Sequence, residues 1–355
     1  MISELLNDPE TRVILCCGSG GVGKTTTAAA IALKAAEQGR KTVVLTIDPA
    51  RRLAQALGLN ELSFEPRAVK DVSNLYAMQL DMKRTFDEIV LTHADAKRAR
   101  TILENPFYIS LSSSFAGTQE YMAMEKLGQL LASKEWDLIV VDTPPSRSAL
   151  DFLDAPARLG SFLDGRLIKF LTTPAKAGGW ALTRILNAGI QLFASTVSKI
   201  LGGEFLADIS AFVAALDSVF GGFRKRADET YKLLKAPGSA FIVVAIPERD
   251  PIREAEFFIE RLLSEGMPLA GVIVNRVSPT LAPLTIAASK ELSKGASPEL
   301  MAALELHMEN LRVKSNEDRL IKAIKSPALL RIEDAGAEIS DLAGLRSINL
   351  SGNSL

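Results

Sequence analysis

The segment Gly18–Thr26, GSGGVGKTT, constrains the possible folds of this chain more than any other part of its sequence. It follows an apolar, β-rich run at Val13–Cys17 and precedes a pattern at Thr26–Gln38 that predicts a helix ending before Gly39. A glycine-rich turn between a strand and a helix lets backbone N–H groups converge on phosphate oxygens. The segment therefore predicts a P-loop in an α/β protein.

Each residue type in this loop suits one part of a magnesium–nucleotide complex. The backbone N–H groups would hold the α- and β-phosphates, and Lys24 would act on the β- and γ-phosphates as a catalytic point charge. The Thr25 hydroxyl would be a ligand of Mg²⁺, which prefers hard oxygen ligands. The predicted binding residues of the loop are Gly20, Gly21, Val22, Gly23, Lys24, Thr25 and Thr26.

Two aspartates stand where further predicted strands end. Asp142 follows the run Leu138–Val141 and is predicted to support magnesium, with a turn-initiating aspartate as the alternative. Asp48 follows the run Lys41–Ile47. It is predicted to orient or deprotonate the water that attacks the bound nucleotide, and to be one of the residues at the magnesium site. A plain cap on the helix that begins at Pro49 is the alternative for Asp48.

The apolar runs predict a doubly wound α/β fold with a mostly parallel sheet. They are apolar on both faces and separated by helices, as in sheets covered on both sides. Two more runs, Phe241–Ile246 and Gly271–Val274, resume the sheet late in the chain. We therefore expect residues 1–150 and 236–345 to form one P-loop ATPase domain, interrupted by an α-helical insertion at 151–235.

The predicted insertion differs from the rest of the chain in composition. Fourteen uncharged residues lie between Arg184 and Lys199, and eight of the 15 phenylalanines fall between Phe152 and Phe223. Fourteen residues are too few to cross a bilayer, which needs about 20. The segment is therefore either a set of core helices or an apolar binding surface for a client or partner.

Charge and cysteine content exclude several classes of function. The formal net charge of −1 provides no global basic field for nucleic acid. Cys16 and Cys17 are the only cysteines, and as neighbours in a predicted strand they point to opposite faces, which argues against a disulfide. The chain has only two histidines and no cluster of cysteine and histidine, which argues against a zinc site. The acidic N-terminus does not resemble a signal peptide. We expect a cytoplasmic protein that is not integral to a membrane, with helices over Leu281–Leu320 and a frayed tail after Leu345.

Five motifs occur in order over about residues 12–335: GGVGKTT, TIDPAR, VDTPPS, AIPE and VNR. Together they resemble the ArsA-type family of P-loop ATPases. That family contains arsenite-pump ATPases and the guided-entry ATPases that deliver tail-anchored membrane proteins. The resemblance implies a deviant Walker A ATPase that forms a dimer around Mg-ATP, and it is weakest in residues 151–235.

The resemblance also implies roles for individual residues. Asp48 would be the switch I catalytic residue, and Asp142 would begin switch II. Asn275, followed by Arg276, would read adenine, and Pro327 would lie in the adenine-side loop after the last strand. An asparagine amide both donates and accepts, which suits adenine N6 and N7 and favours ATP over GTP. A strand-end asparagine that only closes a turn is the alternative for Asn275.

The sequence departs from the family at charged positions. The family has a lysine after the first glycine of the loop that crosses to the phosphates of the partner subunit, and this chain has Ser19 there. Arg147-Ser148 replaces a Gly-His pair of switch II, so Arg147 is a candidate for the missing charge. The CxxC zinc motif and the thiol ligands of arsenite pumps are absent, which argues against regulation by arsenite. We expect the pure chain to be a weak ATPase that Ser19→Lys accelerates.

Three functions remain open from the sequence. The favoured one is a dimeric ATPase in which nucleotide binding joins two apolar insertions into a platform for a hydrophobic peptide or membrane-protein segment. The first alternative is a slow or inactive nucleotide-binding subunit that pairs with a paralogous ATPase carrying the lysine. A positioning ATPase of the MinD/ParA kind is the third, and the lack of an amphipathic membrane tail disfavours it.

Overall fold

A computed structural model describes residues 1–48, 51–105, 108, 119–144 and 225–351. The chain divides into two compact units. The first comprises Met1–Gln79, Leu130–Leu150 and Leu233–Leu355, and the second comprises Leu80–Gln129 and Asp151–Lys232. Most of the predicted insertion lies outside the described residues, and of it only 225–235 is described, as helix. The apolar surface on this insertion therefore stays a prediction.

The elements alternate in the order expected of an α/β protein. The strands are β1 Val13–Gly18, β2 Thr42–Thr46, β3 Arg67–Ala68, β4 Leu75–Gln79, β5 Leu138–Asp142, β6 Ser239–Ala245, β7 Leu269–Val277 and β8 Leu329–Glu333. The principal helices are α1 Ile2–Asn7, α2 Lys24–Glu37, α3 Arg52–Ala56, α4 Met82–His93, α5 Ala96–Leu103, α6 Gln119–Ser133, α7 Arg249–Ser264, α8 Ile286–Ser293, α9 Pro298–Ala323 and α10 Leu342–Ser347.

The strands form one eight-stranded sheet in the order β3-β4-β2-β5-β1-β6-β7-β8. All neighbouring pairs are parallel except β3 and β4, so the predicted doubly wound, mostly parallel fold is confirmed. Cys16 of β1 and Thr46 of β2 are both in register with Asp142 of β5. The carboxyl ends of these three strands therefore meet at one edge of the sheet, where ligands bind in folds of this type.

Burial on both faces explains why the central strands are continuously apolar. Every residue of β1, β2, β5 and β6 is buried. Helix α2 packs on β1, β2 and β5, and its run of buried alanines brings its backbone close to the sheet. The P-loop is thus held between a strand and a helix that both belong to the core.

The structure corrects two expectations about the C-terminal part of the chain. Strand β8 follows Pro327, so the prediction that Pro327 comes after the last strand is wrong. Residues 346–350 are also less frayed than predicted, because α10 continues to Ser347 and Leu350 is only 3% exposed in the core. The first error arose because the strand β8, which is short and half-buried, was not predicted from the sequence.

None of the helices in the described residues has the length and apolar character needed to span a bilayer.

Candidate nucleotide-binding site

The P-loop turn depends on glycines at its two ends. At Gly18 the backbone has φ +147°, and a Cβ there would lie 2.1 Å from the carbonyl oxygen of Val244 in β6. Gly23 is the N-cap of α2 with φ +93°, and its Cβ would lie 2.3 Å from the side-chain nitrogen of Asn275. Gly23 brings no capping side chain, so the first-turn N–H groups of α2 face the ligand side, as in helix N-termini that bind phosphate.

Lys24 begins α2 and is 7% exposed. Its Nζ donates a hydrogen bond of 2.7 Å to the backbone oxygen of Ser19, so the amine lies over the loop. Burial lowers the pKa of Lys24, while the negative charges of Asp142 and Asp48 act in the opposite direction. An anionic phosphate at this position would add to those charges and favour the ammonium form.

Asp142 ends β5 with no exposed surface. The hydroxyl of Thr46 donates a hydrogen bond of 2.9 Å to its Oδ2, and its buried Oδ1 has no hydrogen-bond partner among the described residues. Burial raises the pKa of Asp142 to about 6, and the hydroxyls of Thr25 and Thr46 and the charge of Lys24 oppose that rise. A buried carboxylate oxygen without a donor is the kind of group that a magnesium-bound water would satisfy.

Asp48 lies two residues beyond the end of β2 and is partly buried. Its backbone N–H donates to the Thr46 hydroxyl at 3.2 Å, and its carboxylate lies 4.0 Å from the guanidinium of Arg52. Thr46 therefore contacts both predicted aspartates, and sequence reasoning missed it. The register of Thr46 with Asp142 across β2 and β5 is what places its hydroxyl there, and that register was not readable from the sequence.

Asn275 and Arg276 lie near the carboxyl end of β7. The side-chain nitrogen of Asn275 donates a hydrogen bond of 3.0 Å to the backbone oxygen of Val22 in the P-loop. Arg276 is exposed and has φ +55°, an unusual conformation for a residue with a side chain. The amide of Asn275 therefore braces the P-loop, in addition to any contact that it makes with a base.

One cleft of about 890 Å³ brings most of the predicted site together, within the size range of small-molecule sites. Its lining includes the predicted residues Gly21, Gly23, Lys24, Thr25, Thr26, Asp48, Asn275 and Arg276. The segment that follows β8 also lines it, including Asp334 and Ile339, and so does Ile348. Asp142 is fully buried and is not among the residues that line the cleft.

Pro327 is the predicted site residue that the structure separates from the others. It precedes β8, which runs parallel to β7, and so lies at the amino ends of the strands, whereas the cleft lies at their carboxyl ends. The segment that lines the cleft after the last strand is 334–339, which sequence reasoning missed because β8 itself was missed. Arg147 and Ser148 lie outside the described residues.

The amino-acid sequence matches the model of one protein family, described as anion-transporting ATPase, over residues 11–283. The chain belongs to the ArsA ATPase family. The match spans more than half of the chain and includes the P-loop, both aspartates and Asn275. As an ArsA-type protein the chain is an ATP-binding ATPase.

Individual relatives agree with this assignment. An ATPase ASNA1 homolog from Babesia bovis is 28% identical over 280 residues, which cover 78% of this chain and 69% of the relative. ATPase GET3 from Malassezia globosa is 26% identical over 281 residues, which cover 78% of this chain and 76% of the relative. ATPase ARSA2 from Chlamydomonas reinhardtii is 26% identical over 284 residues, which cover 78% and 70%. The ArsA-type ATPase described here is similar to each of them.

Proposed function

We propose that this ArsA-type ATPase uses Mg-ATP as a dimeric nucleotide switch that handles a hydrophobic client. The observation that carries the proposal is the cleft in which Lys24, Thr25 and Asp48 meet in front of the buried Asp142. Phosphate-binding backbone, a cation and two carboxylates at one edge of a parallel sheet are what hydrolysis of a nucleoside triphosphate requires.

Magnesium suits the donor set in front of Asp142. Asp142 has a buried oxygen, Oδ1, without a hydrogen-bond partner in the described part of the chain, and the Thr25 hydroxyl also acts on this carboxylate. Mg²⁺ prefers such hard oxygen ligands while keeping several waters. We therefore assign Thr25, Asp142 and Asp48 to the support of the metal. When bound, the ion would neutralise charge on the β- and γ-phosphates.

Lys24 and Asp48 are the proposed catalytic residues. The Lys24 ammonium would leave the carbonyl of Ser19 for the β- and γ-phosphate oxygens, where it offsets developing negative charge. Asp48 would orient the attacking water and accept its proton, because its carboxylate faces the same cleft from the end of β2. Neither step requires a covalent enzyme intermediate.

Adenine is the proposed base, and its site differs from the one expected from the sequence. Asn275 lines the cleft and still has an amide oxygen to accept from adenine N6, while its nitrogen holds Val22. We assign the adenine-side loop to the segment 334–339, which lines the cleft, in place of Pro327. Because the side-chain nitrogen of Asn275 also holds Val22, adenine binding at Asn275 would be coupled to the conformation of the P-loop.

The proposed switch is a dimer that binds a hydrophobic client, and both features have support in the amino-acid sequence. They are supported by the resemblance to guided-entry ATPases and by the apolar composition of residues 151–235. ATP between two subunits would bias an open–closed equilibrium, and hydrolysis would release the client. The buried free thiols of Cys16 and Cys17 suit the cytoplasm as the compartment. The dimer is a homodimer or a heterodimer with a paralogue.

A purified chain tests the proposal directly. We expect steady-state hydrolysis of ATP, ATP binding that outcompetes GTP, and a rise in solution mass from monomer to dimer when ATP is added.

Three variants test the roles of single residues. Lys24→Ala should abolish productive binding of Mg-ATP. Asp48→Asn should lower turnover while nucleotide binding persists, and Asn275→Ala should narrow the difference in affinity between ATP and GTP. Wild-type turnover by Lys24→Ala would remove the assignment of the P-loop.

A slow subunit of a heterodimer is the second candidate function, and Ser19 is the observation that favours it. Ser19 is 6% exposed, and its hydroxyl has no hydrogen-bond partner in the described part of the chain. It supplies no charge to a partner subunit. If this candidate holds, the wild type is slow and either Ser19→Lys or a lysine-bearing paralogue raises turnover per site. A brisk wild-type rate that neither changes would eliminate it.

A further inference from the structure

The cleft contains a cation that the proposed mechanism leaves without a role. The Nη1 atom of Arg52 lies 4.0 Å from the Oδ2 atom of Asp48, and the Arg52 side chain is 60% exposed. Arg52 also lines the cleft that is lined by Lys24 and Thr25. The guanidinium therefore lies beside Asp48 in the cleft that also contains the P-loop residues Lys24 and Thr25.

The backbone that carries Arg52 is fixed by packing. Helix α3 begins at Arg52 and packs on α2, the helix that begins in the P-loop. Its Leu53, Ala54 and Ala56 side chains are between 0% and 3% exposed and anchor the helix in the core. The exposed Arg52 side chain thus starts from a backbone position that packing holds in place, as in functional sites built on secondary-structure elements.

Arg52 and Lys24 are two cations that line the same cleft. The positive charge of Arg52 is one of the causes that lower the pKa of Lys24, although burial is the larger one. Two cations that repel across a cleft are both stabilised when an anion enters between them. The contact of Arg52 with Asp48 is long and the Arg52 side chain is exposed, so the pair contributes little to stability. A phosphate can therefore displace Asp48 as the partner.

We propose that Arg52 is a catalytic residue that contacts the γ-phosphate oxygens of ATP from within the same subunit. It would supply the positive charge that Ser19 does not supply from a partner, and this inference rests on the proposed function. During hydrolysis the water oxygen bonds to the γ-phosphorus, and the bond to the β–γ bridging oxygen breaks with its electrons left on ADP. The proton of the water passes to Asp48, which is freed from the guanidinium at that moment.

The adjacent Arg51 provides a matched control. It has the same charge and is also exposed, but it is not among the described residues that line the cleft. Arg51→Ala therefore changes the net charge by the same amount as Arg52→Ala and also lies at the start of α3. It does not remove a group from the site. Because both side chains are exposed, neither variant should change the unfolding temperature by much.

The experiment compares wild type, Arg52→Ala, Arg52→Lys and Arg51→Ala in the full chain. We expect Arg52→Ala to lower kcat by about 100-fold or more, with KM within a few-fold of the wild type. Binding of ADP with Mg²⁺ should be unchanged, whereas binding of ADP with aluminium fluoride, which mimics the transferring phosphoryl group, should be lost. Arg52→Lys should restore part of both, and Arg51→Ala should behave as wild type.

Three results would contradict the role of Arg52. The first is full activity of Arg52→Ala, and the second is an equal loss of kcat in Arg52→Ala and Arg51→Ala. The third is an equal weakening of ADP binding and ADP–aluminium fluoride binding in Arg52→Ala, which would indicate a structural role for Arg52. A wild type that neither binds nor hydrolyses ATP would instead overturn the proposed function, and this inference with it. An active wild type beside an unimpaired Arg52→Ala would overturn the inference alone.

Discussion

Asp142 places a carboxylate with no exposed surface at the end of β5, where one of its oxygens lacks a partner among the described residues. Burial raises its pKa to about 6 from an ordinary value of 3.8. Between about pH 4 and pH 6 the native state therefore binds more protons than the unfolded state. The free energy of unfolding should rise as the pH falls through this window, and above pH 6 the ionised group lowers it.

We predict that Asp142→Asn stabilises the nucleotide-free chain at pH 7.5 by roughly 1–3 kcal/mol, because the amide removes a buried charge and its oxygen still accepts from Thr46. The difference from wild type should shrink to nothing near pH 4. Urea unfolding between pH 4 and pH 7.5, without Mg²⁺, measures it. Asp228→Asn, at an exposed aspartate, is the control. A constant difference at all pH values would contradict a titrating Asp142.

At the scale of single elements, the turn from β1 into the P-loop is constrained by its neighbour strand as well as by the ligand. Gly18 abuts the backbone of Val244 in β6, whereas a Cβ on Gly21, at φ +78°, would meet no heavy atom within 4 Å in the described structure. Both residues have positive φ, so an alanine at either position is strained. Only at Gly18 does a steric clash with a central strand add to that strain.

We therefore predict that Gly18→Ala lowers the free energy of unfolding by about 2–4 kcal/mol and Gly21→Ala by about 1 kcal/mol. The physical reason is that β6 is buried in the sheet and cannot move away from an added methyl group. Chemical unfolding of the two variants beside the wild type measures the difference. Equal losses would show that the backbone conformation alone requires glycine at both positions.

At the scale of the first compact unit, the C-terminal segment 342–351 packs against α2, the helix that begins in the P-loop. Leu345 and Leu350 are 2% and 3% exposed in the same core cluster as α2. At the surface, the Arg346 guanidinium lies 2.7 Å from the Glu37 carboxylate, and Lys34 Nζ donates to the Ser351 hydroxyl at 2.7 Å. The segment 342–351 thus contacts the helix that presents Lys24, and its residues 347–349 also line the cleft.

Leu350→Ala should lower the free energy of unfolding by about 2–4 kcal/mol, because it leaves a cavity in the core against which α2 packs. ATP affinity should fall with it, since the helix that carries the P-loop loses support. The matched control is Leu306→Ala on α9, where the leucine is 68% exposed and the cost should be below about 0.5 kcal/mol. Unfolding and nucleotide titration measure both effects, and equal behaviour of the two variants would show that the tail is dispensable.

The sequence by itself determined the parts of this protein that depend on short-range patterns. The glycine spacing before Lys24 predicted the P-loop, and the positions of Asp48 and Asp142 after buried runs predicted the edge of the sheet where they lie. Burial on both faces makes such strands continuously apolar, so the parallel sheet could be read from the chain. The motif order was enough to indicate the ArsA-type family, which the family match then confirmed.

Only the tertiary structure decided which distant segments meet. The register of β2 against β5 brings Thr46 onto Asp142, and the neighbouring positions of β1, β6 and β7 bring Asn275 onto the P-loop. Strand β8 follows Pro327, so the segment that lines the cleft after the last strand is 334–339. Strand order and register are set by packing over the whole core, and a local pattern of residues carries no record of which strand will lie beside it.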